Sequence, residues 1–218
     1  MPSTAELDID PPPEAVSIAE QYSRRERPLS AFVVLLAVSA FLATNLLTSL
    51  LPAIAVAAVS IVVARAPILQ SYGTVHLRTD DDPETVVESF TGPTPPVLAF
   101  QWGLADEVET ADETVTYRMP YLFGLRTAAV TVHREAETAA DGTRRVELDV
   151  TANDQPWATY AVTIRPSDDH TVVDVEYESN RRFGLRRLPQ QFVADRYRDD
   201  ALTAQGYTVV ERDSHFGL

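Results

Sequence analysis

The sequence predicts an α+β protein: an antiparallel sheet with flanking helices, preceded by a transmembrane helical hairpin. Two observations carry this prediction. Residues 28–64 contain no charged side chain, whereas the chain after residue 71 consists of short segments with alternating apolar and polar residues, interrupted by two helical patterns. A chain of 218 residues has room for one domain of ordinary size and an attached segment.

The uncharged run is too long for a single membrane-spanning helix. As a single helix it would be about 55 Å long, whereas the hydrocarbon core of a bilayer is about 30 Å thick. Divided in the middle, it gives two apolar stretches, 29–47 and 50–66. Asn45, Ser49 and Pro52 lie at the division, where a polar side chain, a helix cap and a first-turn proline favour a bend. We therefore expect two spans within residues 28–66.

The flanks of this run predict its orientation. Arg24, Arg25 and Arg27 precede the first stretch and Arg65 follows the second. Because basic residues accumulate on the cytoplasmic side, both termini are expected in the cytoplasm of a two-span, multi-pass protein of the cell membrane. A single tilted or re-entrant span and a buried hairpin in a soluble protein remain alternatives. Residues 1–27, acidic and rich in proline, predict a disordered tail, with a helix from about Glu14 onward.

Alternating segments in the rest of the chain predict strands. Each places apolar side chains on one face and polar ones on the other, as half-buried strands do. Turn residues at 140–143, 153–156 and 166–169 are short enough to force antiparallel neighbours. The expected strands are TVHLRT, TVTYRM, TAAVTVHRE, VELDVTA, TYAVTIR, VVDVEYE and, at the end, YTVVER.

Two helices are expected beside these strands. In DDPETVVESF, Asp82 is a helix cap, Pro83 and Glu84 suit the first turn, and Val86 and Phe90 recur at helical spacing. The second, in LPQQFVADRYRDDALTAQG, begins near Pro189, has an apolar stripe through Val193, Tyr197 and Ala201, and stops at Gly206.

The order of these elements resembles the SRPBCC superfamily of START-like and polyketide-cyclase-like proteins. The resemblance covers residues 71–218 and is strongest in VHLRTDDDPETVVESF and in the segment from HTVVDVEYE to YTVVER. It implies a helix-grip domain, in which a curved sheet wraps the last helix around an apolar cavity that many members use for hydrophobic molecules. The chain departs from the pattern in the proline-rich segment TGPTPPVLAFQWGLADE and in the strand after the last helix.

The amino-acid composition limits which chemistry and which binding partners are possible for this protein. All 18 basic residues are Arg, against 32 Asp and Glu, for a net charge of −14. Such a surface stays hydrated in concentrated salt, which favours a halophilic archaeal origin over codon bias alone, and it argues against nucleic acid as a partner. The absence of Cys excludes disulfides and thiolate metal sites. No metal and no cofactor are predicted.

No motif identifies an enzyme. The four histidines, His76, His133, His170 and His215, lack metal-ligand spacing, and no phosphate loop, dinucleotide fingerprint or nucleophile elbow occurs. Whether the protein is an enzyme therefore stays uncertain. Three functions remain: binding of a hydrophobic small molecule or lipid, a cyclase- or hydrolase-like reaction in the same cavity using Tyr117, Arg118 or Tyr160, or a scaffold with a filled core that packs on a membrane protein.

Strand and helix phase select the residues expected to line the cavity: Tyr117, Met119, Tyr160, Val162, Val175, Tyr177, Phe192 and Tyr197. A second group is basic. Within residues 178–198, arginines outnumber acids inside a very acidic domain, which predicts contact with anionic lipid headgroups, whereas pairing with neighbouring Asp and Glu is the alternative. The residues expected at a bilayer surface are Arg181, Arg182, Arg186 and Arg187.

Overall fold

The computed structural model describes residues 5–6, 12–121, 126–184 and 188–217. Helices and strands follow one another as β1 (Ala5–Glu6), α1 (Pro13–Leu47), α2 (Leu50–Arg65), β2 (Gln70–Thr79), α3 (Pro83–Thr91), a 3-10 turn (Pro96–Leu98), α4 (Ala99–Trp102), β3 (Glu107–Ala111), β4 (Thr114–Tyr121), β5 (Arg126–Thr138), β6 (Arg144–Ala152), β7 (Gln155–Pro166), β8 (Thr171–Ser179), α5 (Leu188–Thr203) and β9 (Thr208–Gly217).

All the described strands belong to one antiparallel sheet. Their order is β1-β3-β4-β5-β6-β7-β8-β2-β9, so the predicted meander is confirmed from β4 to β8, and β3 extends it by one strand that was not predicted. The first long strand, β2, returns to lie between β8 and the last strand, β9. Asn153 and Asp154 have φ angles of 50° and 61°, the left-handed conformation that a tight two-residue hairpin between β6 and β7 requires.

One face of this sheet forms the core. The predicted inward residues Val146, Leu148 and Val150 of β6 are buried, and Val173 and Val175 of β8 are buried in the same way. The polar residues between them point to the opposite face, which is what period-two alternation predicts. The hydrophobic pattern therefore sets both the face and the register of the central strands.

Helix α3 covers one end of the core as the sequence predicts. The Asp82 carboxylate accepts hydrogen bonds from the backbone N–H groups of Glu84 and Thr85, at 2.9 and 3.1 Å. These bonds satisfy donors that a helix start leaves unpaired. Val86 and Phe90 on the inner side of the helix are fully buried.

Helix α1 begins at Pro13 and extends the core beyond the sheet. Ala15 and Ala19 in its first turns are fully buried, and the Tyr22 ring stacks on Phe100 of α4 with 4.8 Å between centroids. Small alanine side chains let this helix approach the domain closely. Residues 13–25 are helical, in agreement with the helix expected from about Glu14, and they pack against the domain, which the sequence did not predict.

The prediction of a transmembrane hairpin is wrong. The uncharged run does divide where expected, since α1 ends at Leu47 and α2 begins at Leu50. Among the helices of the described residues, however, none is both long enough and apolar enough to cross a membrane. Helix α2 has 16 residues, which gives a length of about 24 Å against a hydrocarbon core of about 30 Å. The fold class is thus corrected to α+β with a helical hairpin that is not transmembrane, and the two-span localisation with both termini in the cytoplasm falls with it.

Candidate ligand cavity

A cavity of about 180 Å³ lies between the sheet and α5. Its floor comes from β2, β6, β7 and β8, and its roof comes from α5. The proline-rich segment that departs from the family pattern forms a side wall through the 3-10 turn and α4, where the Trp102 indole N–H donates to the Pro95 carbonyl at 2.9 Å. This segment therefore closes the cavity on the side where the sequence pattern was least informative.

Small residues at inward positions of the sheet create the space. Ala158 of β7 pairs with Ser179 of β8 and with Val150 of β6, and all three line the cavity. Ser71 of β2 is a further small lining residue. Ala158, Ser179 and Ser71 carry short side chains where the neighbouring rows carry valine and tyrosine, so these positions leave space beneath α5.

Tyr177 reaches across β2 because residue 73 is glycine. Gly73 stands opposite both Tyr177 and Ser214 in the sheet, and the Tyr177 hydroxyl donates to Ser214 Oγ at 2.9 Å. A Cβ atom at Gly73 would lie 2.9 Å from that hydroxyl and 2.0 Å from the Asp213 carbonyl oxygen. Glycine therefore allows the tyrosine ring to close this end of the cavity.

The Tyr160 ring lies beside Tyr177, with 6.3 Å between centroids. Burial raises the pKa of Tyr160 above its ordinary value, and the positive charge of Arg198 opposes this effect only in part. The hydroxyl is consequently protonated at neutral pH and available as a hydrogen-bond donor.

Arg198 of α5 lines the cavity and donates through Nη1 to Asp195 Oδ1 at 3.0 Å. Burial alone would lower the pKa of Arg198, but the neighbouring Tyr160 and Asp195 raise it above its ordinary value. The guanidinium group is therefore positively charged whether or not a ligand occupies the cavity.

Arg212 of β9 supplies a second guanidinium group. Its Nε and Nη2 atoms both lie 2.7 Å from Asp199 Oδ1. The register of β9 shifts between the partners of His76 and Leu77, which leaves Val210 exposed as an extra residue. This bulge inverts the strand phase and turns Arg212 towards the cavity.

Three of the eight residues predicted to line the cavity do so: Tyr160, Val175 and Tyr177. Val162 is buried in the core and Met119 packs against it. The Tyr117 hydroxyl donates to the Pro93 carbonyl at 2.8 Å, and its burial raises the pKa of Tyr117.

Tyr197 faces α1, with its ring 5.8 Å from that of Tyr22. The side chain of Phe192 lies outside the described residues. Four further residues line the cavity but were not predicted from the inward-facing positions of the strands and helices: Arg198, Arg212, Ser71 and Trp157.

Of the four arginines predicted at a bilayer surface, Arg181 and Arg182 are exposed, and Arg186 and Arg187 lie outside the described residues. Arg181 donates to the side-chain oxygen of Gln155 at 2.7 Å. Contact with lipid headgroups stays a prediction. As to metals, no group of three or more candidate ligand side chains occurs in the described part of the chain.

Similarity to known proteins is confined to the general path of the chain. No protein-family model matches, and the search of curated proteins found no match. A START superfamily protein from Mycobacterium smegmatis matches with 10% identity and a TM-score of 0.39, covering 62% of this chain and 97% of that one. A conserved protein from Geobacillus kaustophilus matches with 10% identity and a TM-score of 0.41, covering 62% and 91%.

The Mll3558 protein from Rhizobium loti matches with 16% identity and a TM-score of 0.41, covering 63% of this chain and 98% of that one. At such scores the likeness carries no argument about a ligand or a reaction.

Proposed function

We propose that the domain binds a small molecule with an apolar body and a polar end in the cavity beneath α5. The observation that supports this proposal is the composition of the wall. The apolar side chains of Val150, Val175 and Trp157 and the polar groups of Tyr160 and Arg198 line the same cavity. Ligand sites typically combine a mostly apolar wall with a few converging polar groups.

The size of the cavity limits the ligand. A volume of about 180 Å³ is close to that of an apolar cavity of about 150 Å³ that binds benzene. It is smaller than the roughly 300–1,000 Å³ of sites for drug-sized molecules. A single ring or a short chain fits, whereas a whole lipid would place only one end inside.

The structure favours binding over the reaction considered from the sequence. That reaction needs polar groups from Tyr117, Arg118 or Tyr160 inside the cavity. The Tyr117 hydroxyl is used by the Pro93 carbonyl, and Arg118 pairs with Glu109 at 2.9 Å away from the cavity. Only Tyr160 of the three lines the space. The cavity itself distinguishes the domain from a scaffold with a filled core.

A pair of matched substitutions tests the proposal. Ala158→Leu adds a side chain to the cavity floor, whereas Ala161→Leu places the same side chain on the opposite, exposed face of β7. The probes are benzyl alcohol and benzoate, titrated by ligand-observed NMR. We expect saturable binding of one molecule per chain of at least one probe, weakened at least tenfold by Ala158→Leu and unchanged by Ala161→Leu. Failure of both probes to bind, or equal binding by both variants, would overturn the proposal.

A further inference from the structure

We infer that the cavity selects an anion, so that the polar end of its ligand is a carboxylate group. This inference rests on the proposed binding function and specifies its ligand class. The first observation is the sign of the charges in the cavity wall. The chain has 32 acidic residues against 18 basic ones, yet the wall, as far as the structure describes it, contains two arginines and no Asp or Glu.

The second observation is the number of unused donors. A guanidinium group carries five N–H donors in a planar fork. The described hydrogen bonds engage Arg198 through Nη1 with Asp195, and Arg212 through Nε and Nη2 with a single oxygen of Asp199. Within this described network, Nη1 of Arg212 and Nε and Nη2 of Arg198 have no carboxylate partner. They match the two oxygens of a planar carboxylate.

The aspartates explain how the cavity tolerates two positive charges without a ligand. Asp195 and Asp199 lie on α5 and are absent from the cavity wall. They hold the guanidinium groups from behind and balance their charge, since an uncompensated buried charge would be costly. Because the aspartates hold both guanidinium groups in place, less side-chain entropy is lost when an anion binds in the cavity.

The charged part and the apolar part of the cavity wall lie on different strands of the sheet. Arg212 is on β9, opposite Val75 of β2, and Val75 is opposite Val175 of β8. Trp157 and Val150 belong to β7 and β6, on the other side of β8. An apolar acid would therefore place its carboxylate towards β9 and α5 and its ring towards β6 and β7.

The test compares two probes of nearly equal shape and different charge, benzoate and benzamide. Benzoate is ionised and both arginines are protonated between pH 6 and 8, so one titration at pH 7 suffices. We expect benzoate to bind the full-length protein at least tenfold more tightly than benzamide. We also expect part of this preference to persist at high salt, because buried ion pairs are screened much less than exposed ones.

Three variants separate recognition of charge from packing. The double variant Arg198→Gln/Asp195→Asn removes one of the two guanidinium groups without leaving an unpaired carboxylate. Since Arg212 remains, it should reduce the preference for benzoate severalfold while benzamide binding is retained. Asp195→Asn alone should tighten benzoate binding severalfold, because it removes a competing anion. Arg181→Gln, on an exposed arginine outside the cavity wall, should leave both affinities unchanged.

The outcomes distinguish this inference from the proposed function. Equal binding of benzoate and benzamide by the wild-type protein, with both weakened by Ala158→Leu, would overturn anion selection and leave the binding function standing. Absence of binding by benzoate, benzamide and benzyl alcohol would overturn the binding function itself. If the double variant fails to fold, the comparison of benzoate and benzamide on the wild-type protein still tests whether the cavity selects an anion.

Discussion

Arg134 illustrates how one buried side chain joins three parts of the fold. Its side chain is 8% exposed, and its guanidinium group donates to the carbonyl oxygens of Thr91, Asp112 and Glu113. These carbonyls belong to the end of α3 and to the turn between β3 and β4, where Asp112 has a φ angle of 42°. The arginine therefore donates to the Thr91 and Asp112 carbonyl oxygens, and it adds a second bond to the Glu113 oxygen, which also accepts from the backbone N–H of Arg134 at 2.9 Å.

Replacing this residue should destabilise the protein strongly. Arg134→Met preserves most of the side-chain volume and leaves three carbonyl groups without their charged donor. Because a hydrogen bond to a charged group contributes about 1.5–3 kcal/mol, and one of these bonds is long at 3.4 Å, we expect a loss of about 3 kcal/mol in the free energy of unfolding, measured by urea denaturation.

The matched control is Arg118→Met, in which an arginine with 45% side-chain exposure loses its pair with Glu109. Exposed ion pairs contribute about 0–1 kcal/mol, so this variant should change the free energy of unfolding little. Similar losses in the two variants would contradict the role assigned to Arg134.

The Asp82 cap makes a pH-dependent contribution to stability. Its hydrogen bonds with the side chain and backbone N–H of Thr85 lower the pKa of Asp82 below the ordinary value of 3.8. Because the folded state lowers this pKa, the stabilisation is fully present above about pH 3.8 and is lost as the pH falls through the lower, folded-state value.

Asp82→Asn should therefore destabilise the protein at pH 6, and the difference from the wild type should shrink towards zero as the pH falls below 3.8. Thermal unfolding at a series of pH values measures it. Asp80→Asn, on an exposed residue two positions earlier, serves as the control. A difference between Asp82→Asn and the wild type that is constant with pH would contradict this assignment.

At the scale of elements, α1 is the clearest addition to the domain. Ala19 is fully buried, and its Cβ lies so close to Gly103 that a Cβ atom there would be 3.2 Å away. We expect Ala19→Leu to reduce the free energy of unfolding by about 1–3 kcal/mol, the usual cost of overpacking. Gln21→Leu, on an exposed position of the same helix, should have little effect. Equal stability of the two variants in chemical denaturation would show that α1 does not pack on the domain.

The strands from β4 to β9, the strand β2 and the helices α3 and α5 could be predicted from the sequence because their signals are local. Alternation in VELDVTA and the Asp82 cap each involve residues within one element. The packing of α1 on α4 and α5 could not be predicted in this way. Ala15 and Ala19 are small residues that give only a weak amphipathic signal, and their partners are far away in sequence.

The cavity was harder to predict for a specific physical reason. Tyr160, Val175 and Tyr177 follow the regular phase of β7 and β8, so sequence reasoning selected them correctly as inward residues. Arg212 follows a bulge at Val210, and a bulge inverts which residues of a strand face the core. With a strict period of two, Arg212 would point outward, and nothing in YTVVER marks the extra residue.

At the scale of the whole molecule, the apolar run shows that apolar composition alone does not identify a membrane-spanning segment. Leu46, Leu47 and Leu51 are at least 80% exposed on α1 and α2, so this pair of helices does present apolar surface. A run of apolar residues shows that the segment is hydrophobic, but it does not by itself show that the segment crosses a bilayer. Length and apolar character together decide that question, and none of the described helices meets both requirements.

The net charge of −14 has a second whole-molecule consequence, because the outer face of the sheet concentrates carboxylates. Glu176 and Asp213 stand on either side of Thr74 in paired strands, and Glu178 lies in the same open groove of about 580 Å³. Repulsion among such groups is strong in dilute buffer, where the Debye length is about 10 Å at 0.1 M salt, and weak at 1 M, where it is about 3 Å.

We therefore expect the melting temperature to rise between 0.1 M and 1 M KCl. The triple variant Glu176→Gln/Glu178→Gln/Asp213→Asn should raise it by about 2–4 °C at low salt, equivalent to roughly 1 kcal/mol for a chain of this size, and should reduce the further gain from salt. Glu84→Gln, which removes a carboxylate paired with Arg144 at 3.0 Å, should produce no such rise. A salt response that is identical in the triple variant and the wild type would mean that screening acts on carboxylates elsewhere on the surface, and that the groove does not determine the salt dependence of this fold.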